Sequence, residues 1–76
     1  MNIEKLKSIL AQHNKVTFKL YSLEYVIEAF DNKIQIYSTT YPNNIRKYSN
    51  IDELLNDFKV YNETLIESQE RVIIYE

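Results

Sequence analysis

The side chains best suited to acid–base chemistry in this sequence are one histidine, His13, and eleven carboxylates. A histidine general base needs a nucleophile and an orienting carboxylate, and no recognisable triad spacing surrounds His13. As a metal ligand it would have no second histidine and no cysteine beside it, because the chain contains neither. His13 falls at the end of a predicted helix, on its apolar stripe, where an imidazole interacts favourably with the helix dipole.

Carboxylates recur at helical spacing in the C-terminal third, as they would in a magnesium site, a glycosidase or a solvated helix face. Glu53 and Asp57 are four residues apart, and Glu63, Glu67 and Glu70 would share a face if that segment were helical. A hydrolase also needs a substrate cleft, which 76 residues hardly provide. The absence of glycine removes glycine-rich phosphate loops and the glycine nucleophile elbow. We therefore expect solvated acidic faces, no enzyme, no bound metal and no cofactor.

Seven tyrosines are the feature of the composition that most suggests binding. In an alternating strand pattern, Tyr21 and Tyr37 fall on the sheet face opposite the helices, beside lysines such as Lys19. Residues 41–48 extend this aromatic and basic pattern along a strand edge. The candidate binding residues are Lys19, Tyr21, Val26, Phe30, Tyr37, Tyr41, Arg46 and Tyr48.

Two kinds of partner fit these residues. Aromatic rings beside cations suit single-stranded nucleic acid, because bases stack on rings while phosphates contact lysine and arginine. However, Glu24 and Glu28 are predicted on the same face, where they weaken the attraction for phosphate. Tyrosine is also common in strands and at protein interfaces. A protein partner is therefore the favoured interpretation, and a single-stranded nucleic acid is the alternative.

The same outer face is predicted to carry an apolar patch made of Tyr21, Val26, Phe30 and Tyr37. Such a patch is larger than a small monomer normally leaves in water. Its cover would come either from residues 60–76 or from another protein. A second copy of this chain, in a homodimer, is one such protein.

Hydrophobic periodicity predicts the elements that position these residues. Residues 2–13 carry an amphipathic stripe, with Asn2 as the N-cap and Asn14 as a left-handed stop. From residue 15 the period changes to two, which indicates an antiparallel meander joined by two-residue turns. The predicted strands are 15–20, 24–30, 33–40 and, as a short edge strand, 45–48.

The last third of the chain predicts a second helix and, less clearly, a strand. Apolar residues at helical spacing predict a helix from 51 to about 59, with Asn50 in capping-box spacing. Residues 60–62 are interpreted as a connector and 63–70 as one or two helical turns. Four apolar residues at 72–75, β-branched or aromatic, favour a strand that pairs within the chain or across a dimer. The uncovered tyrosines favour the dimer.

Length and composition limit the class of protein. At 76 residues and 9.2 kDa, residues 1–76 form one domain. No cysteine, membrane-length apolar run or signal-peptide pattern is present, which favours a cytoplasmic protein without membrane partners. A net charge of −2 names no partner. The predicted fold is α+β, an α-β-β-β-(β)-α domain whose antiparallel meander has two helices on one face and a possible C-terminal strand.

Overall fold

Two helices and a five-stranded antiparallel sheet form the α+β architecture that the sequence predicts. The computed structural model describes residues 2–75. The helices are α1 (Ile3–His13) and α2 (Ile51–Asp57). The strands are β1 (Lys15–Leu20), β2 (Leu23–Phe30), β3 (Lys33–Ser38), β4 (Arg46–Tyr48), β5 (Lys59–Val60), β6 (Glu63–Thr64) and β7 (Ile73–Ile74). A short 3₁₀ helix, Gln69–Arg71, precedes β7.

The main sheet has the strand order β4-β3-β2-β1-β7, and β5 and β6 form a separate hairpin. The predicted meander of β1, β2 and β3 is confirmed, with every neighbouring pair antiparallel. The predicted C-terminal strand is also confirmed, although it is only two residues long. It pairs with β1 inside the chain, with Phe18 opposite Ile74. The structure therefore has the in-chain form of the two pairings that the sequence left open.

Both helices pack on one face of the sheet around a single cluster of buried apolar side chains. Leu6 of α1, Leu54 of α2 and Phe18 of β1 are all fully buried in this cluster. The helices are also joined directly, because the Lys7 ammonium lies 2.7 Å from the Asp52 carboxylate. The one-sided apolar stripes of helices and strands thus cover each other, which is the arrangement that their periodicities predict.

Three two-residue hairpin turns are built without glycine. Both residues of Tyr21–Ser22, Asp31–Asn32 and Tyr61–Asn62 have positive φ, between 50° and 68°. This is the type I′ geometry, whose twist matches that of antiparallel strands. Asp and Asn tolerate the left-handed region, whereas tyrosine is strained there. The rings of Tyr21 and Tyr61 contact each other edge to face at 5.0 Å, and this contact stabilises both turns.

Asparagine side chains cap both helices as predicted. The Asn2 side chain accepts a hydrogen bond from the backbone N–H of Lys5, at 3.2 Å. Asn50 does the same for Glu53, at 2.8 Å. Asn14 ends α1 in the left-handed region with a φ of 57°, where asparagine is the best substitute for glycine.

Residues 59–71 differ most from the prediction. The expected connector at 60–62 is instead the tip of the β5–β6 hairpin. A single helical turn follows, in which Thr64 and Glu67 cap each other reciprocally: the Thr64 N–H donates to Glu67 Oε1 at 2.8 Å, and the Glu67 N–H donates to Thr64 Oγ1 at 3.2 Å. Hydrogen bonds to the Glu67 carboxylate, first from the Thr64 backbone N–H and then from the Thr64 side chain, hold the pKa of Glu67 below its usual value. The turn buries Leu65 in the core.

Candidate functional site

The sheet face opposite the helices carries no helix, and its side chains follow from the strand register. Residues paired across antiparallel strands share a face. Val26 lies between Thr17 and Tyr37 in the middle row. The side chains on this surface, called the outer face below, are Lys15, Thr17, Lys19, Glu24, Val26, Glu28, Phe30, Lys33, Gln35, Tyr37, Lys47 and Ile73.

Of the candidate binding residues, Lys19, Val26, Phe30 and Tyr37 lie on the outer face as predicted. Val26 is nevertheless only 5% exposed, because it sits on a central strand with paired side chains on both sides. Phe30 is 64% exposed but lies at the end of β2. The expected contiguous apolar patch is therefore wrong. Within the described part of the C-terminal segment, residues 60–75, the last strand β7 extends the edge of the sheet and does not cover this face.

Tyr21 lies at the β1–β2 turn, and its expected position on the outer face is wrong. The strand alternation ends at Leu20, and the type I′ turn then redirects the next side chain. The Tyr21 hydroxyl donates to Glu63 Oε1 at 3.0 Å, and Arg71 lies 3.9 Å from the same carboxylate oxygen. Partial burial and the hydrogen bond to Glu63 raise the pKa of Tyr21. Tyr21 thus ties the β1–β2 turn to the β5–β6 hairpin.

Tyr48 belongs to the core, and its expected position on an exposed strand edge is wrong. It pairs with Ile34, so its side chain points to the helix side, where it is only 6% exposed. Its hydroxyl donates to Asp57 Oδ2 at 3.0 Å, at the end of α2. Burial and this hydrogen bond raise the pKa of Tyr48, while the nearby Arg46 guanidinium opposes the shift.

Tyr37, Tyr41 and Arg46 are the candidate residues that the structure does bring together. They line a groove of about 530 Å³ where β3 ends, the 39–45 loop turns, and β4 begins. Two further lining residues, Tyr25 and Phe58, also pack in or against the hydrophobic core. We call this the loop groove; the side chains that define it are Tyr25, Tyr37, Tyr41, Ile45, Arg46 and Phe58.

The floor of the loop groove is rigid because it belongs to the hydrophobic core. The Tyr25 ring stacks on Phe18 with centroids 5.3 Å apart. Phe58 contacts the same Tyr25 ring edge to face at 5.9 Å. Burial raises the pKa of Tyr25. A ligand would therefore meet aromatic surface that is already held in place before binding.

The rim of the loop groove is exposed and is ordered by local hydrogen bonds. Tyr41 is 58% exposed, and Ile45 is also exposed. The Tyr41 N–H donates to the Ser38 carbonyl at 3.1 Å, and the Asn44 N–H donates to the Tyr41 carbonyl at 3.1 Å. The loop thus presents two apolar side chains to solvent from a backbone with its own hydrogen bonds.

The stretch of sequence that contributes most of the loop groove carries basic residues and no acidic ones. Residues 33–50 contain Lys33, Arg46 and Lys47 and no acidic residue. Arg46 lies at the groove, on the helix side, together with Tyr48 and Asp57. Lys47 is exposed on the outer face beside Gln35. The two cations therefore flank β4 on opposite faces.

The acid–base and metal-ligating side chains lie elsewhere. His13 is solvent-exposed, contrary to its expected place on the apolar stripe, because Leu6 and Leu10 make the contact with the sheet before α1 ends. Among residues 2–75, no three His, Cys, Asp or Glu side chains are grouped as a metal ion would require. In the same part of the chain, neither helix has the length and apolar character needed to cross a membrane.

Comparisons with known protein families, with curated proteins and with solved structures find no significant match to this chain. The interpretation of its function therefore depends on the geometry of the loop groove and on the side chains of the outer face.

Proposed function

We propose that this chain is a non-enzymatic binding module that holds a segment of another protein in the loop groove. The observation that carries the proposal is the combination, in one concavity, of a fixed aromatic floor, an exposed Tyr41–Ile45 rim and the Arg46 guanidinium. Tyrosine and arginine are among the residues that dominate binding energy at protein interfaces. A pre-ordered site loses little conformational entropy on binding, which favours affinity.

The open shape of the groove supports a chain segment as its ligand. The groove lies at the surface between the 39–45 loop and Phe58, and Arg46 at its edge is also the first residue of β4. A segment lying across the rim would cover the exposed Tyr41 ring and contact the polar groups of Asn43 and Asn44. Apolar anchors surrounded by polar groups are the usual composition of such interfaces.

Single-stranded nucleic acid remains the alternative, and the outer face is the surface that would bind it. Four lysines lie there against two glutamates: Lys15, Lys19, Lys33 and Lys47 against Glu24 and Glu28. Of the four candidate tyrosines, Tyr21, Tyr37, Tyr41 and Tyr48, Tyr37 alone is placed on this face by the strand register, and it is half-buried. Burial raises the pKa of Tyr37, and the Glu28 carboxylate on the same face raises it further. The register thus places a carboxylate where phosphates would approach. The geometry therefore supports the protein ligand more strongly.

A matched pair of exposed aromatic residues tests the proposal. Tyr41 lines the loop groove and is 58% exposed, whereas Phe30 is 64% exposed and lies outside it. A phage-displayed library of random dodecapeptides is selected on the immobilised protein, and enriched peptides are titrated against both alanine variants by fluorescence anisotropy. We expect Tyr41→Ala to weaken binding by about tenfold or more and Phe30→Ala by less than about twofold.

Three outcomes would contradict the proposal. They are no enrichment above a protein-free surface, equal effects of the two variants, and tighter binding of oligothymidine than of any enriched peptide. Oligothymidine binding that falls steeply between about 50 and 200 mM salt would favour the nucleic-acid alternative. Thermal melts of both variants show whether either loss of binding comes from unfolding.

A further inference from the structure

We infer that the edge of β4 beside the loop groove accepts an extended acidic peptide as an additional strand of the sheet. This inference rests on the proposed function, because it names the chemistry and the geometry of the segment held at the groove. Strand addition at a sheet edge combines backbone hydrogen bonds for affinity with side-chain contacts for specificity.

The direction of the backbone groups on β4 follows from the register. The Thr39 N–H donates to the Glu24 carbonyl at 2.9 Å, so this position is a hydrogen-bonded pair of β2 and β3. Hydrogen-bonded pairs alternate with non-hydrogen-bonded pairs along two antiparallel strands. Ile34 and Ile36 are in non-hydrogen-bonded pairs with β2, so their N–H and C=O groups point to β4. Their partners on β4 are Tyr48 and Arg46.

Lys47, between those two partners, therefore directs its N–H and C=O away from β3. Because β4 is the terminal strand of the sheet in residues 2–75, no strand pairs with these two groups. They are positioned to bond an incoming strand, which needs one donor and one acceptor at each such position.

The loop groove continues from this edge, since both include Arg46. A peptide paired opposite Lys47 and extending past the start of β4 reaches the Tyr41–Ile45 rim. Apolar side chains of that peptide can cover the Tyr41 ring and contact Phe58 in the groove. The backbone edge and the aromatic groove thus act on successive residues of one extended segment.

Charge selects an acidic peptide. Lys33, Arg46 and Lys47 carry +3 within an acid-free stretch from residue 33 to residue 50. Lys47 faces a peptide side chain on the outer face, and Arg46 faces the flanking position on the helix side. Asp57 lies near Arg46 through Tyr48, whereas on the outer face Gln35 stands between Lys47 and Glu28 and donates a hydrogen bond to the Glu28 carboxylate at 3.0 Å.

The opposite edge of the sheet lacks these features. Ile73 and Tyr75 are exposed at β7, so that edge also carries apolar side chains. Lys19 lies opposite Ile73 on the outer face, and Arg71, the cation just before β7, lies 3.9 Å from the Glu63 carboxylate and is partly neutralised by it. In residues 2–75, the β7 edge therefore does not combine an aromatic groove with cations on both faces of the strand.

Two peptides of matched length test the charge and the edge together. A decapeptide alternating valine with glutamate and one alternating valine with lysine are titrated into the ¹⁵N-labelled protein, with amide shifts recorded by NMR. We expect the glutamate peptide to shift the amide signals of residues 45–49 and to bind about tenfold or more tightly than the lysine peptide. The Lys47 amide should also exchange more slowly with solvent once it is bonded to the peptide.

Substitutions at Lys47 separate the backbone contribution from the charge. Lys47→Pro removes the N–H that points away from β3 and leaves the β3–β4 hydrogen bonds in place, as proline on an edge strand does. Lys47→Ala removes the same charge and keeps the N–H. We expect Lys47→Pro to weaken glutamate-peptide binding about fivefold or more beyond Lys47→Ala, as loss of a backbone hydrogen bond would. N-methylation of alternate peptide amides, tested on the unaltered protein, should give the same loss if Lys47→Pro folds poorly.

The inference is overturned if neither decapeptide shifts residues 45–49, or if both bind equally well. It is also overturned if Lys47→Pro and Lys47→Ala bind equally and N-methylation has no effect. Oligothymidine shifting the same amides more strongly than the glutamate peptide would assign the edge to nucleic acid. Library peptides that depend on Tyr41 but not on the Lys47 backbone would leave the proposed function intact and reject strand addition alone.

Discussion

At the scale of single residues, the tyrosines divide into structural and exposed groups that composition does not separate. Tyr48 gives its hydroxyl to Asp57 and is buried, whereas Tyr41 is exposed at the loop groove. Strand alternation predicts which residues of a strand lie on the same face of the sheet. It does not predict which of the two faces a helix covers at the edge of the sheet. The hydroxyls of Tyr48 and Tyr21 donate to carboxylates 9 and 42 residues away along the chain, and such contacts leave no local pattern in the sequence.

Replacing Tyr48 with phenylalanine tests its structural role. The ring stays buried while the hydrogen bond to Asp57 is lost. We therefore expect the free energy of unfolding at about pH 7 to fall by about 1 kcal/mol. The pKa of Tyr48 is raised above 10.0 in the folded state. Its contribution to stability is therefore complete below about pH 10 and is lost as pH rises through the raised pKa.

Urea denaturation at about pH 7 and about pH 10.5 measures this effect. We expect the difference in the free energy of unfolding between wild type and Tyr48→Phe to shrink at the higher pH. Tyr41→Phe, at an exposed position, is the matched control and should change stability little at either pH. A Tyr48→Phe variant as stable as wild type at neutral pH would contradict the assignment of this hydrogen bond.

At the scale of elements, the parts that local patterns specify are the parts that the sequence predicts. The helix caps at Asn2 and Asn50 and the turn at Asp31–Asn32 use residue types with local hydrogen bonds or tolerance for positive φ. The β5–β6 hairpin was not predicted because two-residue strands are too short to show alternation. Its turn, Tyr61–Asn62, also begins with a residue that rarely takes positive φ.

The same limit applies to the candidate site. The sequence predicts that Tyr41 and Arg46 belong to one aromatic and basic pattern at residues 41–48, and the structure places them at one groove. It does not predict that Tyr25 and Phe58 form the floor, because their contact is made between a strand and the end of a distant helix. Contacts between elements depend on how the layers stack, and single-sequence periodicity carries no such information.

The left-handed cap at Asn14 gives a test at this scale. With a φ of 57°, Asn14 occupies a conformation that favours glycine and disfavours alanine. We expect Asn14→Ala to lower the free energy of unfolding by about 1 kcal/mol and Asn14→Gly to leave it unchanged or raise it slightly. Chemical denaturation of the two variants measures the difference. Equal stability of the alanine and glycine variants would show that residue 14 is not held at positive φ in solution.

At the scale of the whole molecule, the short β7 strand completes the main sheet. Val72, just before it, is nearly fully buried in the core, and the Tyr75 N–H donates to the Thr17 carbonyl at 2.9 Å. These contacts satisfy the outward groups of β1, which would otherwise be an open edge. The expectation of a dimer depended on uncovered tyrosines of the outer face and on a C-terminal strand able to pair between chains. In this structure β7 pairs within the chain, and Tyr21 and Tyr48 are hydrogen-bonded to Glu63 and Asp57 away from that face. We therefore expect a monomer when no ligand is bound.

Deleting residues 72–76 tests this arrangement directly. The deletion removes the buried Val72 side chain and re-exposes the backbone of Thr17 and Lys19 on β1. We expect the free energy of unfolding to fall by about 2–4 kcal/mol, on the order of one buried aliphatic side chain and its neighbouring contacts.

The uncovered β1 edge should also make the shortened protein self-associate, because an open strand is a template for pairing between molecules. Light scattering after size-exclusion chromatography should give about 9.2 kDa for the full chain and a larger mass for the shortened one. Ile73→Ser, at an exposed side chain of the same strand, is the control and should preserve both mass and stability. A dimeric full chain, or a shortened chain of unchanged stability and monomeric mass, would mean that β7 does not close the sheet in solution.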